Sequence, residues 1–250
     1  MLKVRVIPTL LHRDVGLVKG IRFDPGRRVG TAPQAIRVYS MREVDELVFL
    51  DISATQEGRS PDFDLIDELS EDVFMPFAVG GGIRNVADVR ELLRAGADKV
   101  VVNTALVRGP QIVTDIAREF GSQCVVASID VRREDDSHRA YIACGTQPAE
   151  IEPVTLAQRA EADGAGEILL CSIDRDGMME GYDLDIIRAV AAAVSIPVIA
   201  SGGCGNYEHM AEALHAGASA VAAASMFHFT EQTPREAKLH LKAAGFSVRL

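Results

Sequence analysis

The chain repeats itself. Shifted by about 121 residues, MPFAVGGGIRNVADVRELLRAGADKVVVNT falls on IPVIASGGCGNYEHMAEALHAGASAVAAAS with about ten identities, including a Gly-Gly pair, an asparagine and an Ala-Gly-Ala triplet. Each copy reads as a β-branched run, a glycine turn, an amphipathic stretch and a second β-branched run. In the first copy Val86, Val89, Leu92 and Leu93 keep helical spacing up to the stop Ala95-Gly96-Ala97. Strands joined through a crossover helix run parallel. The same shift pairs Glu46 with Glu167. Two similar halves predict a closed, symmetric α/β fold, because the halves of an open doubly wound sheet differ in strand order. The expected fold is therefore a (β/α)8 TIM barrel built from two similar half-barrels. Its 250 residues suit a single domain spanning 1–250.

The eight strands are predicted at Val4–Thr9, Glu46–Ile52, Pro76–Gly81, Lys99–Asn103, Gln123–Asp130, Glu167–Ile173, Pro197–Ser201 and Ala220–Ala224. Two connections exceed the usual short loops. Leu11–Thr31, rich in Gly and Arg and without a sustained period, is either an active-site lid or a disordered surface loop. Val131–Gly145 reads as a charged hairpin whose Tyr141 and Ile142 pack inward.

Composition narrows the function. The formal charge of −10 argues against nucleic acid and against anionic membranes, both of which select basic surfaces. Apolar runs such as Val190–Ala200 are too short to span a bilayer, and MLKVRVIP lacks the apolar segment of a signal peptide, so a cytoplasmic protein is expected. Cys124, Cys144, Cys171 and Cys204 stand singly, without a CxxC pair. They read as small core or site-lining residues, and no metal or cofactor is called for.

Barrel active sites lie at the C-terminal strand ends. There the third and fourth strands end in Gly80-Gly81-Gly82 and Asn103-Thr104, the seventh and eighth in Ser201-Gly202-Gly203 and Ala224-Ser225. Glycine lets backbone N–H groups approach an anion, and a neighbouring hydroxyl adds a donor. The repeat makes two such cradles, which suits a small bisphosphorylated ligand; the alternative is that the glycines only make tight turns. Asp130, closing strand five, is the leading acid–base candidate. Asp176 ranks next, while Asp51 and Asp174 read as supporting residues or helix caps.

The segments IPTLLHRDVGLVKG, DELVFLDISA, VGGGIRN, GADKVVVNTA, FGSQ, SIDVRR, GAGEILLCSIDRDG, GYD, VIASGG and ASMFHF together resemble the cyclase subunit of imidazole glycerol phosphate synthase, across nearly the whole chain. In that family a glutaminase partner docks on the N-terminal face of the barrel. Ammonia passes through the barrel and is used at the opposite face to cleave and cyclise a bisphosphorylated ribonucleotide. The resemblance implies that Gly82, Asn103, Thr104, Asp176, Gly177, Gly203, Ala224 and Ser225 hold the phosphates, with Lys19 reaching in from the lid; Asp51 and Ser201 line the same mouth. It also implies that Arg5, Glu46, Lys99 and Glu167 form a charged gate at the ammonia entrance. Read from the residues, the four stand near the starts of strands one, two, four and six, where inward-facing charges would pair in a ring; the alternative is separate surface ion pairs.

One departure bears on activity. The family's cyclase uses two aspartates, and where the strand-one member is expected this chain has Leu11. Leucine carries no proton, so cyclase activity should be impaired unless Asp14 substitutes. Met178 and Cys171 replace the usual threonines, and GTAP the lid's usual GDP. The IPTLL opening, GLVK and the stretch from REVDELVFLDI to PDFDLI are instead similar to a paralogous branch that, with a glutaminase, supplies ammonia to a sugar amidotransferase making acetamidino groups on bacterial surface sugars. The C-terminal HFTEQTPREAKLHLKAAGFSVRL is nearer the histidine-pathway type. A phosphosugar isomerase with the same two cradles is a third alternative.

Overall fold

A computed structural model describes residues 3–14, 16–24, 26–42 and 44–250. Eight parallel strands form the barrel: β1 (Arg5–Arg13), β2 (Leu47–Asp51), β3 (Phe77–Gly80), β4 (Lys99–Val102), β5 (Val125–Glu134), β6 (Glu167–Ser172), β7 (Val198–Ser201) and β8 (Ala220–Ala223). Each pairs with its sequence neighbours. The sheet closes where β1 meets β8, with Ile7 opposite Ala222 and Pro8 opposite Ala223. Helices cover the outside. Among the described residues none is long and apolar enough to cross a membrane.

The repeat is visible atom by atom. Asn85 caps the helix Val86–Arg94 by accepting from the Asp88 N–H, and Asn206 caps Tyr207–His215 by accepting from the His209 N–H. These side chains satisfy donors that the first helical turn leaves without partners. Both helices end on glycines with positive φ, Gly96 at 102° and Gly217 at 108°. Val89 and Leu92 of the first helix and Met210 of the second are fully buried against the barrel wall. Truncating Leu92 to alanine there would cost about 2–5 kcal/mol.

Inside the barrel the side chains stack in layers, because alternate residues of each strand face inward. Ile7, Ala78, Val126 and Ile199 from odd strands, and Val48, Val101, Leu169 and Ala222 from even ones, make an apolar interior. Charged side chains lie at both ends, Arg5, Glu46, Lys99 and Glu167 at the N-terminal one and Asp51 and Asp130 at the other.

The sequence reading needs correction at the first long connection and at the start of β5, while the second connection is the expected hairpin. β1 runs past Thr9 to Arg13, so Leu11 is a strand residue, paired with Leu50 on one side and Val18 on the other. The segment after it is an antiparallel hairpin, Gly16–Lys19 with Arg27–Gly30, laid on the extension of β1. β5 begins two residues later than expected, after a 3-10 turn at Ser122–Cys124, and continues to Glu134. It then turns back through Ser137–Ile142, with Tyr141 and Ile142 buried as expected.

Candidate active site

The C-terminal strand ends enclose a cavity of about 470 Å³. Of the mouth residues singled out from the sequence, Lys19, Asp51, Gly82, Asn103, Thr104, Asp130, Asp176, Gly177, Ser201, Gly203, Ala224 and Ser225 line it, whereas Gly80 and Asp174 do not. Leu11 lines it too, and Asp14 does not; the Asp14 side chain is 67% exposed beside Arg13. It is not placed to replace a carboxylate at position 11.

The cradle glycines are demanded by the fold. Gly82 has φ 73°, and a Cβ there would lie 2.7 Å from the Arg59 carbonyl oxygen. Gly203 has φ 108°, with its would-be Cβ 2.2 Å from the Gly181 carbonyl oxygen. Both positions exclude a side chain whatever the mouth contains. The case for anion binding therefore rests on the groups beside them. Thr104 and Ser225, equivalent in the repeat, each open a short helix, Thr104–Arg108 and Ser225–Phe229.

Three carboxylates face the mouth in different states. Asp51 is held on both oxygens by Arg59, at 2.7 and 3.1 Å, and by the Ser53 and Ala54 N–H groups. Burial alone would raise its pKa, but these donors outweigh it and keep the carboxyl below its ordinary range. Its oxygens are committed, as befits a supporting residue. Asp176 accepts from the Lys19 ammonium at 2.7 and 2.8 Å, which fastens the hairpin across the mouth. Among the described residues, no cation pairs with Asp130. Only 7% exposed, it has Ser128 Oγ at 3.5 Å, and burial, assisted by the nearby Asp176 charge, pushes its pKa up to about 7. A carboxyl poised there can donate or accept a proton near neutrality. Asp174 accepts from the Arg133 N–H at 2.7 Å and secures the β5 hairpin instead.

At the other end of the barrel, Arg5, Glu46, Lys99 and Glu167 form one closed ring. The Arg5 guanidinium bonds Glu46 and lies 2.9 Å from Glu167. The Lys99 ammonium lies 3.0 Å from Glu46 and 3.1 Å from Glu167. Burial disfavours the Arg5 charge, but the two carboxylates more than compensate and raise its pKa. Each cation thus joins the same two anions across the barrel floor, and the apolar layers separate this ring from Asp130.

Sequence reasoning missed Thr9 and Ser128, which also line the mouth, while Cys144 and Cys171 line it as two of the cysteines read as core or site-lining residues. Thr9 and Ser128 stand two residues deeper than Leu11 and Asp130 on the same strands. Strand alternation alone aims them at the same space. Cys144 follows the β5 hairpin in a left-handed conformation (φ 57°), its Sγ 3.0 Å from the Ile52 carbonyl oxygen; burial pushes its thiol up to about 11. Cys171, beside Asp130, is likewise raised by burial, which makes both thiols poor nucleophiles. A family model described as histidine biosynthesis protein matches residues 5–233, nearly the whole chain, and the chain belongs to that family.

Proposed function

We propose that this barrel is the ammonia-receiving subunit of a glutamine amidotransferase system. A glutaminase subunit docks at the N-terminal face, and ammonia enters through the Arg5–Glu46–Lys99–Glu167 ring and crosses the apolar interior to the mouth that holds Asp130. The ring is the observation that carries this reading. Four ionised groups at the foot of an apolar barrel are costly to desolvate, and a hydrophobic plug would serve stability as well or better. A neutral molecule the size of ammonia needs the charged ring to part only slightly. Beyond it, Ile7, Val48, Val101 and Leu169 offer no group that would protonate the passenger.

The destination we favour is amidation of a bacterial surface sugar by a separate sugar amidotransferase. Leu11 stands in the mouth wall where a second acid–base carboxylate would be needed for cyclisation, and Asp51 and Asp176 are tied to Arg59 and Lys19. The phosphate-type cradles would then hold a bisphosphorylated ligand without turning it over efficiently. A second reading, cyclisation of a bisphosphorylated ribonucleotide as in histidine biosynthesis, is favoured by Asp130, whose raised pKa suits a proton-transfer group.

Co-expression with a glutaminase encoded beside it tests the primary reading. The two should co-purify, and the barrel should raise glutamine hydrolysis; Lys99→Ala should break the coupling and leave the barrel folded. Failure to co-purify, together with unaltered coupling in the variant, would overturn it. For the second reading, purified barrel is given ammonium salt and the ribonucleotide. Slow turnover that Leu11→Asp accelerates would favour the surface-sugar branch, whereas turnover already fast with Leu11 would favour the histidine pathway.

A further inference from the structure

On the rim of the mouth, apolar side chains stand in water beside arginines. Ile21 is 54% exposed, Phe229 37% and Met179 36%, and Arg22, Arg27 and Arg28 are exposed with them. They come from three segments that touch. The Arg22 N–H bonds the Asp176 carbonyl oxygen at 2.8 Å, a Cβ added to Gly177 would lie 3.0 Å from the Ile21 Cα, and the Arg27 guanidinium stacks on the Phe229 ring. The patch therefore runs from the hairpin onto the loop after β6 and the helix Ser225–Phe229. These six side chains lie outside the cavity lining, although their neighbours Phe23 and Gly177 belong to it. Two of the six sit on costly backbone. Arg22 has φ 55° and Met179 φ 59°, a left-handed conformation that glycine adopts more easily than any residue with a side chain. Phe23, at φ 65°, is repaid by packing against Gly145 over the cavity. Arg22 and Met179 are exposed and gain no such burial, so their side chains point to a use outside the fold.

Methionine, an aromatic ring and arginines around an apolar centre make the composition of a protein–protein contact. A second copy of the chain is a poor occupant. A two-fold contact would bring one arginine-rich patch against another, between chains that each carry a formal charge of −10. A small molecule is a poor one too, since the patch is convex rim and not pocket. Ammonia decides the matter. Released into neutral water it becomes ammonium, which has no lone pair with which to attack carbon, so an acceptor enzyme must take it at the mouth itself. We propose that the sugar amidotransferase docks on this rim, setting an apolar patch on Ile21, Met179 and Phe229 and acidic side chains against the arginines, and thereby shuts the mouth to solvent during transfer. The proposal rests on the reading that the mouth delivers ammonia to such an enzyme.

The test combines the full chain, its glutaminase and the sugar amidotransferase encoded beside them. Ile21→Glu and Arg22→Glu should each weaken binding of the amidotransferase to the barrel by about tenfold or more, the loss expected at the centre of a contact. Met179→Gly should weaken it as well without lowering the melting temperature, because it removes the contact and relieves the backbone together. All three variants should support glutamine hydrolysis as the parent does, yet lose more of the nitrogen as free ammonium, and added ammonium salt should restore amidation. Parent-like binding by Ile21→Glu and Arg22→Glu, with amidation from glutamine intact, would overturn the docking surface and leave the ammonia reading standing. If the parent barrel and its two partners transfer no glutamine nitrogen to the sugar, that reading fails and the docking surface with it.

Discussion

Lys19 and Asp176 lie 157 positions apart in sequence and meet as a two-pronged ion pair that joins the hairpin after β1 to the loop after β6. The Lys19 side chain is 1% exposed, and that carboxylate is its counter-ion. A second tie sits at the hairpin's other strand, where the Arg27 guanidinium stacks 4.2 Å from the Phe229 ring centre.

The first prediction follows from this tie. Asp176→Asn leaves a buried ammonium without its counter-ion, and breaking such a pair typically costs about 3–5 kcal/mol. Part of that cost is avoided if the hairpin swings out and lets Lys19 reach water. Trypsin followed by mass spectrometry should then cut after Lys19, Arg22 and Arg27 well before the barrel strands are attacked. Cleavage no faster than in the parent would show that the pair does not hold the lid.

The charged floor gives a second prediction, which orders two variants. Glu46 is 1% exposed and receives both cations, whereas the Glu167 side chain is 15% exposed. Glu46→Gln removes the more deeply buried anion and should destabilise by about 2–4 kcal/mol, while Glu167→Gln, partly screened by water, should cost about half as much. Thermal unfolding at neutral pH checks the order. Equal melting temperatures would mean that the four charges act as independent surface pairs.

Why some of this was legible in the sequence and some not has a physical reason. Asn85 and Asn206, the Ala-Gly-Ala stops and the pairing of Glu46 with Glu167 are local patterns repeated in register, and they fixed the barrel and both of its ends. The hairpin Gly16–Lys19 with Arg27–Gly30 was not legible, because its strands are short and depend on pairing with the extension of β1. Asp51 carried an ambiguous signal. Only the folded chain brings Arg59 onto its carboxylate and turns a potential ligand-binding group into a brace. Thr9 was hidden by attention to strand ends, although its even spacing from Leu11 was available. Thr104 and Ser225 show the converse limit. The repeat makes them look alike, and the Ala143 N–H that bonds the Thr104 hydroxyl makes them differ.

The final prediction concerns Asp130 and has a defined sign. Its pKa rises from an ordinary 3.8 to about 7 on folding, with burial as the main cause. The folded state therefore binds the proton more tightly than the unfolded one, and the stability this confers is fully present below about pH 4 and lost as pH climbs through about 7. Above that, folding must hide an ionised carboxylate that no cation among the described residues accompanies. Asp130→Asn keeps the shape and abolishes the titration. It should be more stable than the parent at pH 8 by an amount on the order of 1–4 kcal/mol, with the gap narrowing towards pH 5 as the parent's carboxyl takes up its proton. Urea unfolding of both proteins at the two pH values checks this. A stability difference independent of pH would mean that Asp130 is ionised throughout the range, and would remove the basis for treating it as the proton-transfer group of the mouth.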